Sequence, residues 1–242
     1  MPSPDPSNPV AFFTALRRGF SERLTRPRVR EVVVDRLLED CFAALDQSCG
    51  DVSGLACRRG CATCCAVRVV ATAPEILLIA RAIKSQRRKT AEDFGRRIAA
   101  ATRATRQIDE LKRMALAAPC PFVGENICLV YAIRPLACRS HVSFNEAACL
   151  DALAGLPVEI PVSSIHLTAR SLIQNALQAA LRDTGYGWGV YELNQGLRIA
   201  LKDHSAERAW LDGRDVFRSA QINDVSEQEM AQAFDAIKAL GG

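Results

Sequence analysis

Four cysteines lie within nine residues of this chain, and their number and spacing indicate metal chemistry. They fall in the stretch LACRRGCATCCAVRVV, residues 55–70, with the spacing C-x3-C-x2-C-C: Cys57, Cys61, Cys64 and Cys65. Thiolates three or four positions apart in a loop can converge on one centre, and tetrahedral zinc or a 4Fe–4S cluster each takes four sulfur ligands. Ordinary packing does not require so many thiols in so short a stretch.

A second set of four cysteines follows over thirty residues: Cys120, Cys128, Cys138 and Cys149. Because the closely spaced cysteines of one loop cannot fill four coordination sites, we expect the second set to fold back onto the first. Three close cysteines completed by a distant one are nearer to the plant-type ferredoxin spacing than to the paired knuckles of structural zinc. The spacing therefore slightly favours an iron–sulfur centre over zinc.

Cys64 and Cys65 are adjacent, which limits how they can share a metal. In an extended segment the side chains of neighbouring residues point to opposite faces, so both thiols cannot easily bind one ion. Three interpretations stay open: the thiols serve two neighbouring centres, one of them bridges two metals, or one is a buried spectator. Eight cysteines divided by four ligands fit two centres, but the number of centres is left open.

Other thiol chemistries fit the sequence less well. The C-x3-C-x2-C spacing also occurs in radical S-adenosylmethionine enzymes, but no series of alternating strands and helices follows here. Cys61 and Cys64 have the C-x-x-C spacing of thiol–disulfide oxidoreductases without the thioredoxin-like context. Cys41 lies on the apolar stripe of a predicted helix and is interpreted as a core residue. The roles of Cys49 and His141 are left undecided.

The composition indicates a globular protein, with 49% hydrophobic and 24% charged residues. No run of about 18 apolar residues predicts a membrane span. The opening MPSPDPSNPV lacks the basic and apolar regions of a secretory signal, so we expect a cytoplasmic location, where thiols stay reduced and free to bind metal. Residues 1–9 are predicted to be a disordered tail.

A basic segment over residues 81–113 could suggest an anionic partner. Phe94 is the one aromatic residue among these charges, so a base-stacking surface is not indicated and nucleic acid is not expected. The charges are interpreted as a solvated helix face. A protein partner or substrate is compatible with the sequence but is not identified by it.

Most of the remaining sequence predicts helices. In TAPE, Thr72 and Glu75 can form a capping box at the start of a helix, just after the strand-like VRVVA. One long helix is predicted from about Thr90 to Ala117, and a brief strand at ICLVY. The predicted fold is mainly α, with helices around a short irregular cysteine-rich core and one or two short strands. Its regions are N-terminal helices over 10–54, a cysteine-cluster domain over 55–150 and a helical C-terminal region over 151–242.

The stretches CRRGCATCCAVRVVATAPE, CPFVGENICLVYAIRPLACR and NEAAC together resemble the YkgJ-type cysteine cluster family, a zinc- or iron-chelating domain. The resemblance covers about residues 55–150, and the spacing departs from the family's where two alanines precede Cys149. It implies that the metal-site positions are Cys57, Cys61, Cys64, Cys65, Cys120, Cys128, Cys138 and Cys149. Tyr131, Arg134 and Arg139 match the motif's other members and would bind near the cofactor, with the two arginines offsetting thiolate charge.

We therefore predict a metal-binding protein with a cysteine-ligated iron–sulfur centre, serving a redox or protein-modifying reaction. The alternative is a non-catalytic module in which cysteine-bound zinc is structural and the helices bind a partner. Whether the chain is an enzyme is left open. An open coordination position beside a pocket would favour the first interpretation, and closed four-coordinate sites the second.

Overall fold

The computed structural model describes residues 8–25, 32–50, 53–106, 108–116 and 118–241. Residues 1–7 of the predicted tail lie outside this part of the chain, and Pro9 already begins a helix. The α-helices have these bounds: α1 (Pro9–Thr25), α2 (Val33–Cys49), α3 (Ala73–Lys84), α4 (Arg88–Thr105), α5 (Glu110–Leu116), α6 (Leu136–Ser140), α7 (Glu146–Leu153), α8 (Ser164–Asp183), α9 (Leu193–Lys202), α10 (Ala206–Leu211) and α11 (Glu227–Leu240).

The short strands form two antiparallel pairs. In the first, β1 (Val70–Thr72) pairs with β4 (Val190–Glu192). In the second, β2 (Val123–Gly124) pairs with β3 (Ile127–Cys128). The prediction of a mainly α protein with short strands around an irregular cysteine-rich region is confirmed.

The helices bury one hydrophobic core. Helices α1 and α2 pack against α8, and α3 and α4 pack against α9. The apolar stripe of α2 is buried at all four of its positions: Val33, Leu37, Cys41 and Leu45. Burying an apolar stripe of this kind is the main stabilising contribution of an amphipathic helix. Cys41 thus lies in the core, as predicted.

Strands β1 and β4 each run directly into a helix, and a glutamate stabilises each helix start. Glu75 accepts hydrogen bonds through Oε2 from the Thr72 N–H (2.7 Å) and hydroxyl (2.8 Å). The Glu192 side chain accepts from the Gln195 N–H at 2.8 Å. Because β1 pairs with β4, the two strand–helix units are fixed side by side. The helix start predicted at Thr72 is confirmed.

The long helix predicted from Thr90 to Ala117 is wrong in its extent. Helix α4 ends at Thr105, where Arg106 turns to an extended conformation (φ −69°, ψ 133°), and α5 begins at Glu110. The side chain of Asp109 accepts a hydrogen bond from the Lys112 N–H at 2.8 Å and so supplies a new helix start. This local bond competes with continuing the helix, which apolar periodicity alone does not show.

Two helices leave an apolar residue exposed near one end. On α8, Ala169 and Ala176 are buried, whereas Ile165 is 60% exposed. On α11, Phe234 is fully buried, whereas Leu240 is 75% exposed. Both exposed residues lie in the terminal turns of their helices.

Candidate metal centre

The first cysteine set lies on a loop of successive turns. The Cys61 N–H donates to Arg58 O (3.0 Å), and the Cys65 N–H donates to Ala62 O (3.0 Å). Gly60 takes a left-handed conformation (φ +97°) between the first two cysteines. This backbone winding brings Cβ atoms together that would diverge along an extended strand.

Cys64 and Cys65 lie in a turn and not in an extended segment. The neighbouring Cys65 side chain, followed by burial, raises the pKa of Cys64. The premise of an extended segment is therefore wrong for this pair.

The second set is built on the β2–β3 hairpin and folds back onto the first. Cys128 lies opposite Val123 across the hairpin, whose turn residues Glu125 and Asn126 have positive φ (50° and 60°). The Cys120 N–H, just before the hairpin, donates to Cys65 O at 2.6 Å. This backbone bond joins the two sets directly.

Cys138 lies on α6, which Glu75 anchors from behind. Pro135 precedes this helix in an extended conformation, and the first helical N–H, that of Leu136, donates to Glu75 Oε1 at 2.7 Å. Glu75 and Leu136 are both buried. The carboxylate that stabilises the start of α3 therefore also holds the start of the helix that carries Cys138.

Cys149 lies on α7, and the segment before α7 is tied to the first loop by three contacts. The Ala56 N–H donates to Ser143 O (2.9 Å), and the Ser143 N–H donates to the Sγ of Cys57 (3.2 Å). Arg58 forms a 2.6 Å ion pair with Glu146, the first residue of α7. Helix α7 thus begins beside Cys57 although two alanines separate Glu146 from Cys149.

A cavity of about 630 Å³ lies between these segments. At about 30 Å³ for each molecule in liquid water, it has the volume of about 20 waters. Seven of the eight cysteines line it: Cys57, Cys61, Cys64, Cys65, Cys120, Cys128 and Cys138. Sites for small molecules and cofactors have volumes of about 300–1,000 Å³, so the cavity has the size of a cofactor site.

The cysteine side chains line the cavity, but they are not grouped closely enough to form a set of metal ligands. Within the described ranges, no three histidine, cysteine, aspartate or glutamate side chains form a group that could hold a metal ion. Burial raises the pKa of Cys120 to about 11, and it also raises the pKa of Cys138, where the thiols of Cys120, Cys64 and Cys128 add to the effect. Metal binding must therefore displace protons and draw these sulfurs inward.

The same wall carries the arginines and the tyrosine of the motif. Arg134 lies 4.0 Å from the centre of the Tyr131 ring, and its charge lowers the pKa of Cys64 and Cys138 against the larger effects that raise them. The Nε of Arg134 is buried without a hydrogen-bond partner in the structure. Arg139 donates to the carbonyls of Arg134 and Ala132 and stacks on Phe42, so it braces the turn before α6. That Arg134 and Arg139 offset the charge of metal-bound thiolates stays a prediction.

Three further polar side chains line the cavity, and the sequence assigned none of them to the site. Arg113 of α5, which ends the basic segment interpreted as solvated, instead forms a buried ion pair with Glu192 of β4 at 3.2 Å, with side chains 7% and 5% exposed. Arg170 and His166 of α8 also line the cavity. The Nε atoms of Arg113 and Arg170 are buried and unpartnered in the described structure. No local signal predicts these residues, because they come from elements far apart in the sequence.

The residues left undecided can now be placed. His141 lines the cavity, and burial, together with the charge of Arg170, lowers its pKa, which favours the neutral ring. Cys49 lies at the end of α2 on the cavity edge, and burial, with a contribution from Asp46, raises its pKa to about 11. His141 directly follows α6, three residues after Cys138, whereas Cys49 is the last residue of α2 and lies outside the cysteine-cluster segment.

The fold and the cavity define a helical protein with a thiol-lined metal site. Residues 56–152 match the model of the CxxCxxCC family, described as "Putative zinc- or iron-chelating domain". The match covers the segment that carries all eight motif cysteines, and the YkgJ-type resemblance is confirmed. Zinc or iron chelation is the function that the match supports.

No curated protein and no solved structure gives a significant match to the chain. In the described part of the chain no helix has the length and apolar character needed to cross a bilayer.

Proposed function

We propose that this protein binds iron–sulfur in the cysteine-lined cavity and serves a redox or protein-modifying reaction. Such a centre, when bound, supplies one-electron chemistry. The chain would hold it through the motif cysteines. Arg134 would donate its free Nε–H towards the sulfurs and offset their negative charge.

The size and charge of the cavity carry this proposal. Structural zinc is bound in closed tetrahedral sites with Zn–S distances of about 2.3 Å, and such a site leaves no large space beside the metal. Here the thiols, together with Arg113, His166 and Arg170, line a cavity of about 630 Å³. The iron and sulfide of a cluster, and a molecule that reacts beside it, would both require space next to the cysteine sulfurs.

The polar groups on the cavity wall also suit an anionic occupant. A buried N–H without a partner costs about 1–3 kcal/mol, so three such groups around one cavity call for an acceptor. The three are the Nε atoms of Arg113, Arg134 and Arg170. A cluster ligated by several thiolates carries net negative charge and offers sulfur acceptors at this position.

The test is to purify the full chain without oxygen from iron-replete cells. We expect a brown protein that contains iron and acid-labile sulfide and loses visible absorbance on reduction with dithionite. Cys57→Ala should lower the absorbance per folded protein, because Cys57 lines the cavity. Cys41→Ala is the matched control, because Cys41 is buried in the core away from the cavity lining.

A colourless anaerobic protein with stoichiometric zinc and no sulfide would overturn the iron–sulfur proposal. The structural-zinc module, with its helices free to bind a partner, would then take its place.

A further inference from the structure

We infer that a small organic carboxylate binds in the cysteine-lined cavity beside the metal, with its anionic group held by Arg170 and His166 of α8. The inference rests on the proposed function, because it names the class of molecule that would meet the metal, but it does not depend on which metal is bound. Helix α8 lies beyond the matched segment, and no cysteine follows Cys149 in the chain. The carboxylate would therefore be held by residues that do not bind the metal.

His166 and Arg170 are four residues apart on α8, so their side chains share one face of the helix. Both residues line the cavity. His166 is 8% exposed, and its Nδ1 lies 2.8 Å from the hydroxyl oxygen of the buried Ser163, which holds the ring in place. When the Ser163 hydroxyl donates to Nδ1, the Nε2 of the neutral ring carries the proton and can donate it in a hydrogen bond to a ligand.

The guanidinium of Arg170 has donors left for a ligand. Within the described residues it forms no ion pair and no hydrogen bond, and its Nε is buried. The carboxylate whose charge interacts with it is that of Glu75. Both Glu75 oxygens already accept hydrogen bonds, from Thr72 and from the Leu136 N–H. Arg170 is therefore not used up as the direct partner of Glu75.

The charged side chains that line the cavity are mostly basic. They are six arginines and one aspartate: Arg58, Arg68, Arg113, Arg134, Arg139, Arg170 and Asp46. Three of the arginines form ion pairs with Glu146, Asp224 and Glu192, and Arg139 donates to two backbone carbonyls. Arg134 belongs to the segment that carries the cysteines and can serve the metal-bound thiolates. Arg170 then remains for a second anion.

The cavity suits a carboxylate better than a phosphate. The planar fork of a guanidinium binds a carboxylate through two parallel hydrogen bonds. A phosphate group carries about 1.5–2 negative charges at pH 7, so metal-bound thiolates in the same cavity would repel it more strongly than a monoanion. Apolar side chains also line the cavity, among them Leu55, Val67, Phe122 and Leu193, and they suit an organic body attached to the carboxylate.

The test titrates hexanoate into the full chain purified from zinc-rich, iron-poor medium, because zinc is diamagnetic and permits NMR. We expect hexanoate to shift the Arg170 Nε–H signal saturably, whereas the neutral isostere hexanamide should leave it in place. In titrations that follow the signals of hexanoate itself, Arg170→Gln should weaken binding about tenfold or more, and His166→Asn roughly 2- to 10-fold.

Arg182→Gln is the matched control. Arg182 lies on the same helix, but its guanidinium pairs with Asp235 at 2.8 Å and it does not line the cavity. This variant should bind hexanoate as wild type does. A weakening equal to that of Arg170→Gln would show that the loss reflects the charge of the helix and not a contact with the ligand.

Absence of hexanoate binding to wild type would overturn the inference, as would equal binding of hexanamide or tighter binding of pentyl phosphate. A folded Arg170→Gln variant with undiminished affinity would show that the carboxylate is held by the metal instead. If that variant does not fold, the comparison of the three ligands on wild type decides. The titration uses neither colour nor sulfide, so failure of the iron–sulfur proposal and failure of this inference are separate results.

Discussion

Replacing Glu75 should destabilise the protein far more than the loss of an ordinary surface charge, because one carboxylate serves two structural elements. Oε2 accepts from the N–H and hydroxyl of Thr72 at the start of α3, and Oε1 accepts from the Leu136 N–H at the start of α6. All three residues are buried, at 2%, 0% and 0% exposure for Glu75, Thr72 and Leu136. Water cannot replace the lost acceptor.

The magnitude follows from the groups left unpaired. A buried N–H without an acceptor costs about 1–3 kcal/mol, so the Thr72 and Leu136 amides together cost about 2–6 kcal/mol in Glu75→Ala. Removing a carboxylate whose burial is itself unfavourable offsets part of this cost. We expect a net loss of about 2–4 kcal/mol from a total stability of about 5–15 kcal/mol.

The pH dependence provides a second readout. Burial raises the pKa of Glu75, although hydrogen bonds from Thr72 and Leu136 and the charge of Arg170 act to lower it. A carboxyl whose pKa is raised on folding contributes stability below its unfolded pKa and loses it as pH rises through the folded value. The stability of wild type relative to Glu75→Gln should therefore fall as pH increases from about 4.3 towards neutrality.

Urea unfolding of the variants checks both expectations. Glu39→Ala is the matched control, because Glu39 has a 60% exposed side chain and its partner Arg36 lies on the same helix surface. That change should alter stability by less than about 0.5 kcal/mol. A folded Glu75→Ala variant as stable as the control would refute the assignment of Glu75 as a shared anchor.

The remaining predictions concern Cys41 in the core and the buried Arg113–Glu192 ion pair. Cys41→Ala should lower the free energy of unfolding by about 1 kcal/mol through a small cavity and leave metal content unchanged; loss of metal would contradict its placement in the core. Arg113→Met should cost about 3–5 kcal/mol by leaving Glu192 buried and unpaired, and adding Glu192→Gln should recover part of that loss in urea unfolding. Additive single and double effects would show that the pair is not coupled.

The parts of the fold that the sequence predicted correctly depend on neighbours within one or two helical turns. Thr72 and Glu75, whose reciprocal hydrogen bonds start α3, are three residues apart. The buried stripe of α2 likewise repeats at intervals of four. Local hydrogen bonds and periodicity are readable before any tertiary contact is known.

The two errors lie where the chain turns. Apolar periodicity continues past the end of α4, but Asp109 begins a new helix by accepting a hydrogen bond from the Lys112 N–H. At Cys64 and Cys65 the prediction assumed an extended backbone, but turns continue to Val67. In both places a turn replaced the simpler regular conformation.

The sequence predicted the cysteines of the site, whereas it did not predict that Arg113, His166 and Arg170 line the same cavity. Cysteine spacing identifies a metal site because chemistry limits what clustered thiols can do. Arg113, His166 and Arg170 have no such signature, and they come to the cavity from α5 and α8, which are far apart in the sequence. Their position is a property of the tertiary fold.

This division bears on how the family's domain works in this chain. The family match ends at residue 152, but the cavity continues onto His166 and Arg170 of α8 and onto Leu193 and Asn194 after β4. The matched segment therefore supplies the thiols, and the region beyond it supplies five further lining residues: His166, Leu167, Arg170, Leu193 and Asn194. Because these residues line the cavity without contributing a sulfur, they can contact an occupant of the cavity without holding the metal.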